Sequence, residues 1–242
     1  LSSINYSLLL VKFINDYASY LYLVVEIIAA VTGLILYKRY RHTAAKYFIY
    51  FLIYVVVFGV IGRYTFWVRD GIFSFLQGTL LEKNYWWYTI CWSLGAIVFF
   101  VWYYLKILTN QRAKSTLKIA LTLFLIASLC IIILTLPDFF KTSIPSISVL
   151  GAIIIMLCVF YYFFEMLQSD KILKFYKSLN FYISCTILVF WLVKTPLAFF
   201  EPYFRVADMD YVNLRGYINL FAISLMYLTF TVGLIVSNPD YD

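Results

Sequence analysis

Charge is scarce in this 242-residue chain: Asp, Glu, Lys and Arg together make up 13% of it, about half the share in a soluble protein. So few charges cannot cover a water-facing surface of this size, which excludes a soluble globular domain. Histidine is almost missing. The one copy, His42, leaves no HExxH zinc site and no Ser–His pair within the apolar segments. No GxxxxGK[ST] phosphate loop occurs, and no DxxxD acidic motif marks a helix end. The four cysteines, Cys91, Cys130, Cys158 and Cys185, fall in four different apolar runs without a CxxC pair. They are expected to pack as small apolar residues rather than form a disulfide or a metal site. The chain thus reads as a non-enzyme without cofactor or metal. Its start lacks a basic segment before the first apolar run, so a cleaved signal peptide is not expected. The formal charge of +7 does not point to nucleic acid, because the basic residues sit in short connections between apolar runs.

Long apolar runs fill most of the chain, and hydrophobic residues reach 64%. A bilayer core about 30 Å thick takes about 20 apolar residues per helical crossing. Seven stretches have that length: 20–37, 45–62, 85–105, 119–136, 147–167, 179–200 and 216–236. Their uninterrupted hydrophobicity favours helices over barrel strands, which would alternate polar and apolar. The expected fold is an all-α integral membrane protein, one seven-transmembrane-helix bundle over 1–242. Residues 1–19 are expected as an outer interfacial segment, since Leu8–Tyr20 mixes apolar and polar residues at helical spacing. Gly71–Glu82 is apolar but too short to cross, and is expected as an interfacial, re-entrant or capping piece.

Orientation follows from the lysines and arginines. The connections 38–46, 106–118 and 171–177 hold eleven of them, whereas the opposite connections and the N-terminal segment hold seven, matched by seven acids. The first set is expected to be cytoplasmic, with the N-terminus outside and the C-terminus inside. Trp67, Trp86, Trp87 and Trp92 cluster at the expected outer ends of the second and third spans, where amphipathic rings favour the headgroup level.

Ionisable residues inside apolar spans are the leads for function, because each is costly unless paired or hydrated. Glu165 lies near an inner helix end and is expected to reach the interface, toward Lys171. Glu26 and Lys194 each lie about six residues below the outer end of their spans, roughly 9 Å deep at ~1.5 Å per residue. Glu26 shares a helix face with Ala29, Ala30 and Gly33, small residues that let helices approach closely. An ion pair between Glu26 and Lys194 is expected, with Asn219 and Arg63 at a similar level and a helix bend at Pro196. Three roles fit this set: a structural pair fixing helix register, a ligand- or ion-binding site, or a proton path. Asp208 and Asp210 lack the glycine and distal glutamate of a calcium loop, and salt bridges to Arg63 or Arg69 are expected there instead. The inner run Lys38, Arg39, Arg41 and Lys46 is a topology signal that also attracts anionic lipid or a cytoplasmic partner.

The stretch KRYRHTAAKYFIYFLIY, Lys38–Tyr54, resembles small bacterial seven-helix membrane proteins without catalytic domains. The rhodopsin lysine is missing from 216–236, and DRY-like and NPxxY motifs are absent from their receptor positions. The expected function is a receptor-like sensory or accessory subunit of the bacterial inner membrane. It would bind a small ligand at an outward polar and aromatic site and pass signals to a separate cytoplasmic or membrane partner. A transporter or channel and a structural subunit of a larger complex are the alternatives.

Overall fold

The computed structural model describes residues 20–68, 71–200 and 209–241. Every regular element among them is helical. Six helices are long and apolar enough to cross a membrane: α2 (Ala45–Gly62, prolonged by a tighter turn to Trp67), α3 (Tyr85–Ile107), α4 (Gln111–Leu134), α5 (Pro145–Leu167), α6 (Leu179–Phe200) and α7 (Met209–Val236). Before them comes α1 (Tyr20–Ile35), apolar but shorter. The expected interfacial segment 1–19 lies outside the described residues, as do Arg69, Asp70, Glu201, Arg205 and Asp208.

Two helices start earlier than hydropathy suggests. For α4, Asn110 is the cause: its side-chain oxygen accepts from the N–H groups of Arg112 and Ala113, satisfying donors that a helix start leaves orphaned. Glu165 of α5 completes this start, accepting from Thr109 N–H (2.8 Å), Thr109 Oγ1 (2.9 Å) and Asn110 N–H (2.7 Å). The glutamate expected near Lys171 therefore ties the α3–α4 connection to α5. The last helix begins at Met209, so its first turns are built from residues too polar to count as a span.

Connections mark the two ends of the bundle. At one end Arg39 donates to the carbonyls of Ile235 (3.2 Å) and Ser237, while Asn238 N–H donates to Lys177 O at 2.8 Å. Residues 38–46, 106–111, 165–179 and 235–241 thus share a basic end. The opposite end carries the turn structure 71–84, strapped down by Tyr64 OH on Leu81 O (2.7 Å) and Gln77 Nε2 on Val68 O (2.8 Å). This piece does not cross; it leaves Ile72 (84%) and Phe75 (71%) exposed above the helix ends.

The core is aromatic. Tyr40, Phe48, Tyr103, Tyr104, Tyr227 and Phe230 are all at most 2% exposed, and form one layer nearer the basic end. Three of the tyrosine hydroxyls have partners within the bundle: Tyr103 on Asn180 Oδ1, Tyr104 with Ser184 Oγ at 2.7 Å, Tyr40 on Leu234 O at 2.9 Å. The outer surface is the reverse of a soluble protein's. Along α4, Ile119, Leu123, Ile126, Leu129 and Ile133 are each 56–62% exposed, a continuous apolar stripe that only lipid or another apolar surface would solvate.

Candidate functional site

Small residues bring α1 against α2. Ala29 and Ala30 are buried, and a Cβ on Gly33 would sit 3.1 Å from Ile49 Cγ2. One turn beyond this contact the same face presents Glu26 toward Gly59 of α2. A Cβ on Gly59 would lie 3.4 Å from Glu26 Oε2 and 3.5 Å from Arg63 Nη1, so the glycine makes the space the two charged groups share. Arg63 Nη1 in turn donates to Gly59 O at 2.9 Å. The end of α2 needs such donors, because its last carbonyls have no helical partners. Trp87 Nε1 donates to Phe58 O (2.9 Å) and Asn84 Nδ2 to Gly62 O (2.7 Å), which locks the start of α3 to the end of α2.

Around these groups lies a cavity of about 290 Å³, close to the smallest volumes that hold small molecules, about 300 Å³. Five helices wall it: Tyr22 and Glu26 from α1, Phe58 and Arg63 at the end of α2, Tyr88 and Trp92 from α3, Phe190 and Lys194 from α6, Met226 and Tyr227 from α7. Glu26, Arg63 and Lys194 therefore face one space. Asn219 holds Lys194 in place, its Oδ1 accepting from Nζ at 2.8 Å. Among the described residues of the wall, one carboxylate stands against two cations, an excess of one positive charge. Arg63 is the cation that shares the Gly59 recess with Glu26.

Pro196 lies inside α6, which continues through it from Leu179 to Phe200. Beside it Thr195 Oγ1 donates to Trp191 O at 2.7 Å, a local bond where proline weakens the helical ladder. A second cavity of about 190 Å³ lies across Trp92, Phe190 and Lys194 from the first, and Ser93, Ser148 and Arg215 help to line it. Lys194 thus stands in the partition between the two.

Sequence reasoning did not single out Tyr22, Tyr88, Phe190 or Tyr227, because they are four among 46 Tyr and Phe residues with no distinguishing pattern. It also missed the widened π turn Thr89–Leu94 in α3, which aims Trp92 at the cavity. Such turns recur at functional sites. Here the neighbouring carbonyl of Cys91 is taken up by Tyr54 OH at 2.8 Å.

The basic residues expected at a partner surface have different placements. Arg39 is bound to the end of α7, where a cation also complements the helix dipole. Arg41 Nε donates to His42 Nε2 at 2.8 Å, Lys46 lies over the Tyr47 ring at 4.9 Å, and Lys38 is exposed. No known protein family, curated protein or solved structure matches the chain.

Proposed function

We propose that this chain is a receptor-like sensory or accessory subunit of a bacterial cytoplasmic membrane, one of the small seven-helix proteins without a catalytic domain. In this reading α1 is the seventh span, the N-terminus is outside, and the basic end faces the cytoplasm. The cavity then lies in the outer half of the bundle, within reach of a small ligand. The observation that carries the reading is the convergence of Glu26, Arg63 and Lys194 on one aromatic-walled space at the end opposite the basic connections. Charges at this depth are costly, and an apolar space lined by a few converging polar groups is the usual form of a ligand site.

The wall chemistry defines a ligand class. An excess positive charge selects an anionic group, and Tyr88, Trp92 and Phe190 offer faces for a flat apolar body. A small aromatic carboxylate combines the two. Binding is favoured over passage by the layer of Tyr103, Tyr104, Tyr227 and Phe230, packed at 0–2% exposure between the cavity and the basic end. The partner that receives the signal would meet the exposed basic connections, Lys38 and Arg41 among them.

The test is equilibrium binding of phenylacetate, as probe, to the chain in lipid nanodiscs, compared with Lys194→Met. Binding to the wild type, weakened at least tenfold in the variant while size-exclusion behaviour is kept, supports the reading. Equal affinity in both, or no binding of either a phenyl or an indolyl carboxylate, removes the site from consideration.

A further inference from the structure

A second recess opens on the outside of the bundle, between α2 and α3, and belongs to neither cavity above. It has about 340 Å³ and is lined by Tyr47, Tyr50, Phe51 and Tyr54 of α2 and by Gly95, Phe99 and Trp102 of α3. The two helices run antiparallel here, so positions 47, 50 and 54 face 102, 99 and 95. The floor is the stacked pair Phe51 and Phe99, with centroids 4.2 Å apart and planes within 8°. At Gly95 the missing side chain keeps the trough clear, since a Cβ would stand 3.0 Å from Tyr54 OH. Two of the hydroxyls on its edge are occupied within the protein, Tyr54 on Cys91 O and Tyr50 with Tyr37. The trough therefore offers an almost wholly aromatic surface.

Its end at the basic side is charged. Lys46 Nζ lies 4.9 Å above the Tyr47 ring and Lys106 Nζ 5.5 Å above the Trp102 ring. Those two rings are themselves in edge-to-face contact at 4.7 Å. Two ammonium groups are thus gathered at one mouth of an apolar trough by a single aromatic pair, one from each helix. The trough runs about 10 Å along the bundle axis from that mouth, at ~1.5 Å per residue over seven residues.

We propose that this recess binds one anionic phospholipid, with its phosphate between Lys46 and Lys106 and an acyl chain along Tyr50, Phe99 and Gly95. The charge at the mouth chooses an anionic headgroup, and the depth and apolar lining choose a chain over a water-soluble anion. The site is independent of the ligand cavity and needs only that the bundle sits in a bilayer.

Native mass spectrometry of the full chain, released from membranes containing equal phosphatidylglycerol and phosphatidylcholine, reads the outcome. One retained lipid is expected, predominantly phosphatidylglycerol. Lys46→Gln and Lys106→Gln should each lower that preference about fivefold, the worth of one lysine near an anionic lipid. The remote pair Lys83→Gln and Lys141→Gln, at the opposite end of the bundle, should leave it unchanged. A phosphatidylglycerol carrying a photoreactive group in its tail should label peptides within 47–54 and 95–102 of the unmodified protein. Equal retention of the two lipids, an equal loss in the remote pair, or labelling elsewhere overturns the assignment. So does a lipid-free dimer, which would put a second copy of the chain in the trough.

Discussion

Two glycines in helix contacts are chemically alike in sequence but not in space, and alanine should destabilise at one and be nearly neutral at the other. At Gly233 of α7 a Cβ would stand 2.8 Å from Tyr182 Cβ and 3.1 Å from Tyr182 Cγ, with Leu179 Cδ1 at 3.3 Å. A Cβ atom is fixed to its backbone, so α6 and α7 must separate to relieve the clash. Overpacking of this kind costs about 1–3 kcal/mol, and the rigid partner puts Gly233 in the upper half of that range. Helix propensity returns about 1 kcal/mol on replacing glycine by alanine. The net loss is about 1–2 kcal/mol. At Gly151 of α5 the nearest atoms are Ile97 Cδ1 at 2.9 Å and Cγ1 at 3.0 Å. Ile97 can turn aside for about 0.5–1.5 kcal/mol, which the propensity gain offsets. Gly233→Ala should therefore lower the melting point by about 2–8 °C on soluble-protein scaling, and Gly151→Ala should leave it within about 2 °C. The assay is the fraction that stays monodisperse on size exclusion after heating in a mild detergent. A Gly151→Ala protein less stable than Gly233→Ala would refute the packing argument.

Two further substitutions address the site and the closure of the bundle. Gly59→Leu, which fills the recess between Glu26 and Arg63, should abolish phenylacetate binding while the protein remains monodisperse; retained affinity would show that the probe sits elsewhere. Tyr40→Phe removes a hydroxyl that serves Leu234 O at 2.9 Å and Ser237 Oγ at 2.7 Å in a fully buried place. A stability loss of about 1–3 kcal/mol is expected by the same heating assay, and a neutral effect would exclude the bond as a tie between the α1–α2 connection and α7.

Hydropathy was enough to locate α2 to α7, because a run of apolar residues long enough to cross a bilayer has few other fates. It was poor at the starts of α4 and α7. There Asn110, Glu165 and the polar turn after Met209 decide the boundary, and none of them adds hydrophobicity. The shared depth of Glu26, Arg63, Lys194 and Asn219 was legible from helix length alone, since the rise per residue is fixed. Which helices adjoin was not. The recess at Gly59, the pairing of Lys194 with Asn219 and the selection of Tyr88, Trp92 and Tyr227 depend on helix order and rotation. Those follow from matching surfaces such as Ala29, Ala30 and Gly33 against Ile49, and one strand of text does not show which surfaces match. The role of Arg39 was hidden for the same reason, its acceptors lying almost two hundred residues downstream.

That distance sets an order of events during synthesis. The acceptors of Arg39 and Tyr40 are the carbonyls of Leu234, Ile235 and Ser237, and the mate of Lys177 O is the N–H of Asn238. None of these exists until synthesis has passed residue 234. The early helices must therefore wait with their basic-end ties unmade, and a nascent chain stalled before residue 234 should be an open assembly, exposed to proteases that the tied bundle resists.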